Sequence, residues 1–173
     1  MQVRPAAAED LPAVGAIYSH HVRHGLASFE EDPPGLAELS RRHREVIDQG
    51  LPWLVADFGG VLAGYGYCAP YRTRSAYRYT LEDSVYVRED YHGRGVGAAL
   101  LEALIEGCTA LGYRQMIAVI GDSAHQASIS LHASCGFLRV GTLRSVGFKL
   151  GRWVDSVLMQ RPLAAGDGTP PGK

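Results

Sequence analysis

Thr80 to Leu101 reads TLEDSVYVREDYHGRGVGAALL, and its reading decides the fold. It opens on an apolar run, Val85-Tyr86-Val87, suited to a buried strand. A polar turn, Arg88 to His92, follows. Three glycines then stand at every second position, Gly93, Gly95 and Gly97, and lead into Val96, Leu100, Leu101, Leu104 and Ile105 at helical spacing. Strand, glycine turn and helix start together present free backbone N–H groups, backed by a helix dipole, to a phosphate. Glycine suits such a turn because a Cβ would hold the phosphate off the backbone.

The rest of the chain bounds what that phosphate can belong to. Its 173 residues, 46% of them hydrophobic, suit one α/β domain with a sizeable core, spanning residues 1–163. A net charge of −1 offers no general attraction for nucleic acid or an anionic membrane. The cysteines, Cys68, Cys108 and Cys135, are dispersed and never in C-x-x-C spacing, so neither a disulfide framework nor a zinc or other metal site is expected. No signal-like or membrane-spanning apolar run is present, and a cytoplasmic location is the expectation.

Working outward, Gln2 to Arg4 reads as a strand stopped by Pro5. A helix carries Leu11, Val14, Ile17, Tyr18 and Val22 and breaks at Gly25; its paired His20-His21 reads as half-exposed surface. The link Leu26 to Gly35 is a loop, and Leu36 to Gln49 a second amphipathic helix stopped near Gly50. Trp53–Asp57 and Val61–Cys68 form a hairpin in which Leu62, Gly64, Gly66 and Cys68 share one small face. After the glycine helix, Gln115–Gly121 is an apolar run of the buried parallel kind. A short helix near Ala127–Ser134 and two strands, Leu138–Leu143 and Trp153–Gln160, complete the order βααβββαβαββ. This is a mixed central sheet with helices on both faces. The tail, 164–173, is rich in glycine and proline and reads as disordered.

Three phosphate motifs compete for the loop. A P-loop needs a Gly-Lys-Ser/Thr ending, which is absent. Gly93 to Ala98 fits the G-x-G-x-x-A of a dinucleotide fold, with Asp122 beyond a later strand. There, however, the strand runs straight into the first glycine, whereas five polar residues intervene here. The third is the acyl-CoA pyrophosphate loop. His92-Gly93-Arg94-Gly95-Val96-Gly97 resembles the Q/R-x-x-G-x-G/A signature of the GNAT superfamily of N-acetyltransferases, with histidine in the first place. The resemblance runs over nearly all of Val3 to Pro162. Within the superfamily the chain is similar to the phosphinothricin and methionine sulfoximine N-acetyltransferases, through Tyr77–Val87, AVIGDS at 118–123, SISLHASCGF at 128–137 and VGFKLGRWVD at 146–155.

That resemblance implies acetyl-CoA as co-substrate and a small amino-acid-like amine as acceptor. Val85, Tyr86 and Val87 would carry pantetheine as an added strand, with the Val87 N–H holding the oxyanion. His92, Gly93, Arg94, Gly95, Val96, Gly97 and Ala98 would receive the pyrophosphate. Glu82 matches the general base, against the plain reading of a solvated strand-end carboxylate; Asp83 lies on the other face of the strand. His132 stands where many members have the tyrosine that protonates the departing thiolate, against a packed core histidine. His125 occupies the place of an asparagine that contacts pantetheine, with Gln126 or Ser128 as alternatives. Arg72, Arg74, Tyr77 and Thr80 would meet the acceptor's acidic group, or be solvated loop residues, and Phe29 would close the pocket. The resemblance also implies a homodimer, with Lys149 and Trp153 completing the site across it. A protein or peptide N-acetyltransferase and a non-catalytic acyl-CoA-binding domain are the competing functions.

Overall fold

The computed structural model describes residues 1–171. Its elements are β1 (Gln2–Pro5), α1 (Leu11–His24), α2 (Leu36–Asp48), β2 (Trp53–Asp57), β3 (Leu62–Pro70), β4 (Thr80–Val87), α3 (Val96–Ala110), β5 (Gln115–Gly121), α4 (Gln126–Ser134), β6 (Leu138–Lys149) and β7 (Arg152–Pro162). The seven strands form one sheet in the order β1-β2-β3-β4-β5-β7-β6. Only β4 and β5 run parallel; the remaining neighbours are antiparallel. A dinucleotide fold would need a run of parallel strands, so this sheet rules out that reading of the glycine loop.

Strand alternation assigns the helices to the faces. On β3 a Cβ at Gly64 would lie 3.1 Å from Val96 and 3.3 Å from Leu100, and one at Gly66 would lie 3.1 Å from Leu104. Glycine there lets α3 pack close to the sheet, where Leu100, Leu101 and Leu104 are fully buried. Each such leucine contributes about 2–5 kcal/mol relative to alanine. The opposite face carries α1 and α2 over an aromatic layer. Trp53 stacks on Tyr67 at 4.3 Å, Tyr65 on Tyr86 at 5.2 Å, and Tyr18 of α1 meets Tyr86 edge-on at 5.0 Å.

Leu62 departs from the expected face. The β2–β3 register slips between Ala56 and Asp57, and Ala63, not Leu62, joins Val96 and Leu100 in a buried cluster. The bulge reverses the alternation for one residue. β6 and β7 are longer than their apolar runs, because Leu150 (φ 50°) and Gly151 (φ 74°) form a two-residue turn that carries the pairing on to Lys149 and Arg152. The tail is held further than its composition implies. Arg114 Nε donates to the Gly166 carbonyl at 2.8 Å and its Nη2 to the Thr169 carbonyl at 2.6 Å. The last two residues of the tail, 172 and 173, lie outside the described residues. No helix among the described residues is long and apolar enough to cross a membrane.

Candidate active site

The β4–β5 ladder is short. Thr80–Asp83 pair with Gln115–Ala118, and there it stops. Beyond that point β4 stays with β3 as far as Val87↔Gly64, while β5 stays with β7 as far as Gly121↔Ser156. The two half-sheets therefore part, and a cavity of about 350 Å³ lies in the gap, lined by Ser84 to Val87 on one side and Ala118 to Gly121 on the other.

Alternation shows which main-chain groups face that gap. The Arg88 N–H donates to the Ala63 carbonyl at 2.9 Å, and the Tyr86 and Ser84 carbonyls press on the Gly64 and Gly66 positions of β3. Val85 and Val87 therefore turn their N–H and C=O away from β3, toward a neighbour that has left the ladder. Two imidazoles already meet the Val87 carbonyl. His21 Nε2 donates to it at 2.9 Å and His92 Nε2 at 3.2 Å. His21, read from sequence as surface, thus lines the cavity. Spacing alone had no means of finding this, since the contact depends on how α1 crosses β4.

The glycine loop closes one end of the gap. Gly93 (φ 72°) and Gly95 (φ 78°) take left-handed backbone that other residues rarely adopt, and a Cβ at either would meet open space. Ala99 N–H is the first in α3 to be satisfied within the helix, by the Gly95 carbonyl. The preceding donors of Val96, Gly97 and Ala98 remain free at the positive end of the dipole. Gly93, Gly95, Val96, Gly97 and Ala98 line the cavity, as do His125 and Ser128 at the start of α4. The cradle fits a pyrophosphate. Arg94 instead lies outside the lining, its guanidinium 5.1 Å from the Tyr91 ring centre. Among the described residues no cluster of His, Cys, Asp or Glu could hold a metal ion.

The two faces of β4 carry different chemistry. Asp83 points to the α3–α4 side, where His132 Nε2 lies 3.0 Å from its Oδ2 and both side chains are buried. Burial alone would lower the His132 pKa, but the hydrogen bond and charge of Asp83, with the Ser128 carbonyl, outweigh it and raise the value. Glu82 points to the α1–α2 side. Burial raises its pKa, the Asp83 charge adds to this, and Arg72 opposes. Glu82 does not line the cavity; it is still paired with β5, two residues before the gap begins at Ser84.

The acceptor-side candidates lie apart, most of them on the loop that leads into β4. Arg72, Arg74 and Tyr77 are exposed, with Arg72 stacked on Tyr71 at 4.9 Å and Tyr77 edge-on to Tyr71 at 5.8 Å. Thr80 opens β4 and its carbonyl accepts the Tyr71 N–H at 3.2 Å. Phe29 lies over Gly147 and Gly121, where a Cβ would come within 2.5 Å and 3.3 Å of its ring. A polar network unseen in the sequence fixes its loop. Tyr18 Oη lies 2.8 Å from Ser28 Oγ and donates to Glu30 at 3.0 Å, and Arg42 of α2 donates to Glu30 at 2.6 Å. Lys149 Nζ donates to the Ser28 carbonyl at 2.6 Å and is buried in its own chain. It is therefore not free to complete a site across a dimer, as the resemblance implied.

A mixed sheet split beside a glycine-capped helix defines the class. The chain belongs to the Acetyltransferase (GNAT) family, whose model matches residues 16–137, and it is an N-acetyltransferase. It is 58% identical, over 98% of its length and 86% of the relative's, to a phosphinothricin N-acetyltransferase of Alcaligenes faecalis. It is 42% identical to an L-methionine sulfoximine/L-methionine sulfone acetyltransferase of Pseudomonas aeruginosa, over 91% of this chain and 92% of that one. The crystal structure of a GNAT superfamily phosphinothricin acetyltransferase from Sinorhizobium meliloti in complex with AcCoA superposes with a TM-score of 0.96. It covers 99% of this chain and 93% of that one at 45% identity.

Proposed function

We propose that the chain transfers the acetyl group of acetyl-CoA to the amine of a small amino-acid-like acceptor of the phosphinothricin or methionine sulfoximine/sulfone type. One observation carries this reading: the sheet opens just past Asp83, the residue after Glu82, where Val85 and the Val87 N–H face away from β3 with no strand beside them. Acetyl-CoA supplies an activated thioester; the chain's own residues do the rest. The glycine cradle takes the pyrophosphate and the Val85–Val87 edge takes pantetheine. The Val87 N–H steadies the oxyanion. Glu82 accepts the amine proton from the α1–α2 side, and His132 returns a proton to the departing sulfur from the α3–α4 side. Base and acid thus stand on opposite faces of one strand. Arg72 and Arg74 suit an acceptor that carries a carboxylate or phosphinate beside its amine.

A thiol-release assay over an amine panel tests the reading. Release is expected with phosphinothricin, methionine sulfoximine or methionine sulfone, and little with peptide amines. Acetylation of peptides with none of the amino-acid analogues would overturn it.

The family resemblance to a homodimer has support of its own kind. Edge strand β6 and its turn into β7 leave Leu138, Val140, Phe148, Leu150 and Trp153 between 57% and 72% exposed. So many bare apolar side chains on one long edge suit a second copy of the chain. Sedimentation should show a dimer for the wild type and a monomer for Trp153→Glu; a monomeric wild type would refute the assignment.

A further inference from the structure

Glu82 stands back from the gap, and a proton taken from an amine there has to cover the distance. The glutamate is paired on both sides, with Ala69 of β3 and Ile117 of β5, and does not line the cavity. Ser84 is the first residue of β4 beyond the ladder with β5, and it does line the cavity. Alternation sets Ser84 on the same face as Glu82, about 6.6 Å further along the strand. Its main-chain groups are already directed elsewhere. Ser84 stands opposite Tyr67, and its carbonyl presses on the Gly66 position of β3. In an antiparallel pair the N–H and C=O of one residue turn to the same neighbour, so the polar group that Ser84 has left for the gap is its hydroxyl.

Tyr67 braces that hydroxyl. Its ring stacks on Trp53 at 4.3 Å and lies parallel to Tyr65 at 6.4 Å. Burial holds the Tyr67 phenol above its ordinary pKa; the hydrogen bond with Ser84 and the Arg42 charge oppose this, and the Glu82 and Glu30 charges add to it. The phenol therefore keeps its proton and can donate it to Ser84 Oγ. The serine's own O–H is then free to point along the strand.

We propose that Ser84 is the proton relay between the acceptor amine and Glu82, with Tyr67 as the residue that positions it. This rests on Glu82 acting as the base, and it names the path by which that base is reached. An ammonium N–H in the gap donates to Ser84 Oγ as the Ser84 O–H proton passes to a Glu82 carboxylate oxygen. The glutamate side chain leans along the strand to receive it. One N–H and one serine O–H bond break; a new serine O–H and a carboxylic O–H form. The serine ends as it began, Glu82 is neutral, and the amine has its lone pair for the thioester carbonyl.

The charged and titratable groups around this path are Asp83 on β4, Arg72 on the loop before it, Tyr67 on β3, and Arg42 of α2 with Glu30 of the α1–α2 loop, which act on Tyr67. On the β5 side Glu82 meets only the apolar Ile117. A substitution at Ser84 changes none of these charges, so the Glu82 pKa stays raised and only the path is altered.

The test compares kcat across pH for wild type, Ser84→Ala, Ser84→Thr and Glu82→Gln, with the melting shift caused by acetyl-CoA as a check on the cofactor site. Near neutral pH, Ser84→Ala should be slower than wild type by about 10²-fold, the lower end of what a positioned proton acceptor contributes. That deficit should shrink toward pH ~10, where an amine of pKa near ~10 arrives already deprotonated. Ser84→Thr keeps a hydroxyl in place and should recover most of the rate. The acetyl-CoA shift should be the same in all of them. If Ser84→Ala runs near the wild-type rate while Glu82→Gln is slow, the relay is refuted and the base stands. A Ser84→Ala deficit that is equal at every pH, or that Ser84→Thr shares in full, marks a packing role and refutes the relay as well. If Glu82→Gln is not slow, the base assignment falls and this proposal with it.

Discussion

Glu82→Gln is expected to lower kcat by about 10²–10⁴-fold while leaving the rise in melting temperature caused by acetyl-CoA intact. The amide keeps the shape and the hydrogen-bonding reach of the carboxylate but takes up no proton. An acceptor ammonium with a pKa near ~10 then has no base to receive its proton. The pH profile adds a second signature. Burial and the neighbouring Asp83 hold the Glu82 pKa above its ordinary value. The basic form is lost as pH falls through that raised pKa, so the wild-type rate should decline on the acid side earlier than an ordinary carboxylate would dictate. Glu82→Gln should lack that decline. A variant within a few-fold of wild type would place the base elsewhere.

Gly121→Ala should have a comparably large effect on stability. The added Cβ would collide with the Leu26 carbonyl oxygen and lie 3.0 Å from its carbon, and both are backbone atoms that a rotamer change cannot move. The loop bearing Ser28, Phe29 and Glu30 has to leave β5. Overpacking of this kind costs about 1–3 kcal/mol or more. For a domain of this size that is roughly 2–12 °C of melting temperature. Because Phe29 and the Tyr18–Ser28–Glu30 network move with the loop, the acceptor KM should rise more than that for acetyl-CoA. Gly141→Ala is the control, since a Cβ there meets nothing within 4 Å, and it should leave both quantities unchanged. An unaltered Gly121→Ala would mean that the loop yields freely and does not shape the acceptor side.

The reach of the sequence follows from how local each signal is. The order of strands and helices is legible because period-2 and period-3.6 patterns are written into contiguous residues, and the glycine turn because left-handed backbone needs glycine at Gly93 and Gly95. Alternation correctly sets Glu82 and Asp83 on opposite faces of β4. What waits on those faces is not legible. His132 reaches Asp83 only through the packing of α4, His21 reaches Val87 only through the crossing of α1, and Lys149 is buried under Ser28 by the long β6–β7 hairpin. The exchange of Ala63 for Leu62 depends on a bulge whose cause lies in the pairing with β2. Charged residues mislead in a particular way. Arg94 sits within the phosphate motif yet packs on Tyr91, since a long side chain settles wherever an aromatic face offers itself.

The early parting of β4 from β5 bears also on self-association. An unpaired strand edge is a template on which another chain can add itself, and proteins usually blunt such edges with charge, proline or a covering element. The Val85–Val87 edge has none of these on its own strand, yet it is safe. It is recessed inside the sheet, between two half-sheets that reunite at Asp83 and Ala118, with α3 closing over one end. The protein keeps a reactive edge exposed to its ligand and hidden from its own kind.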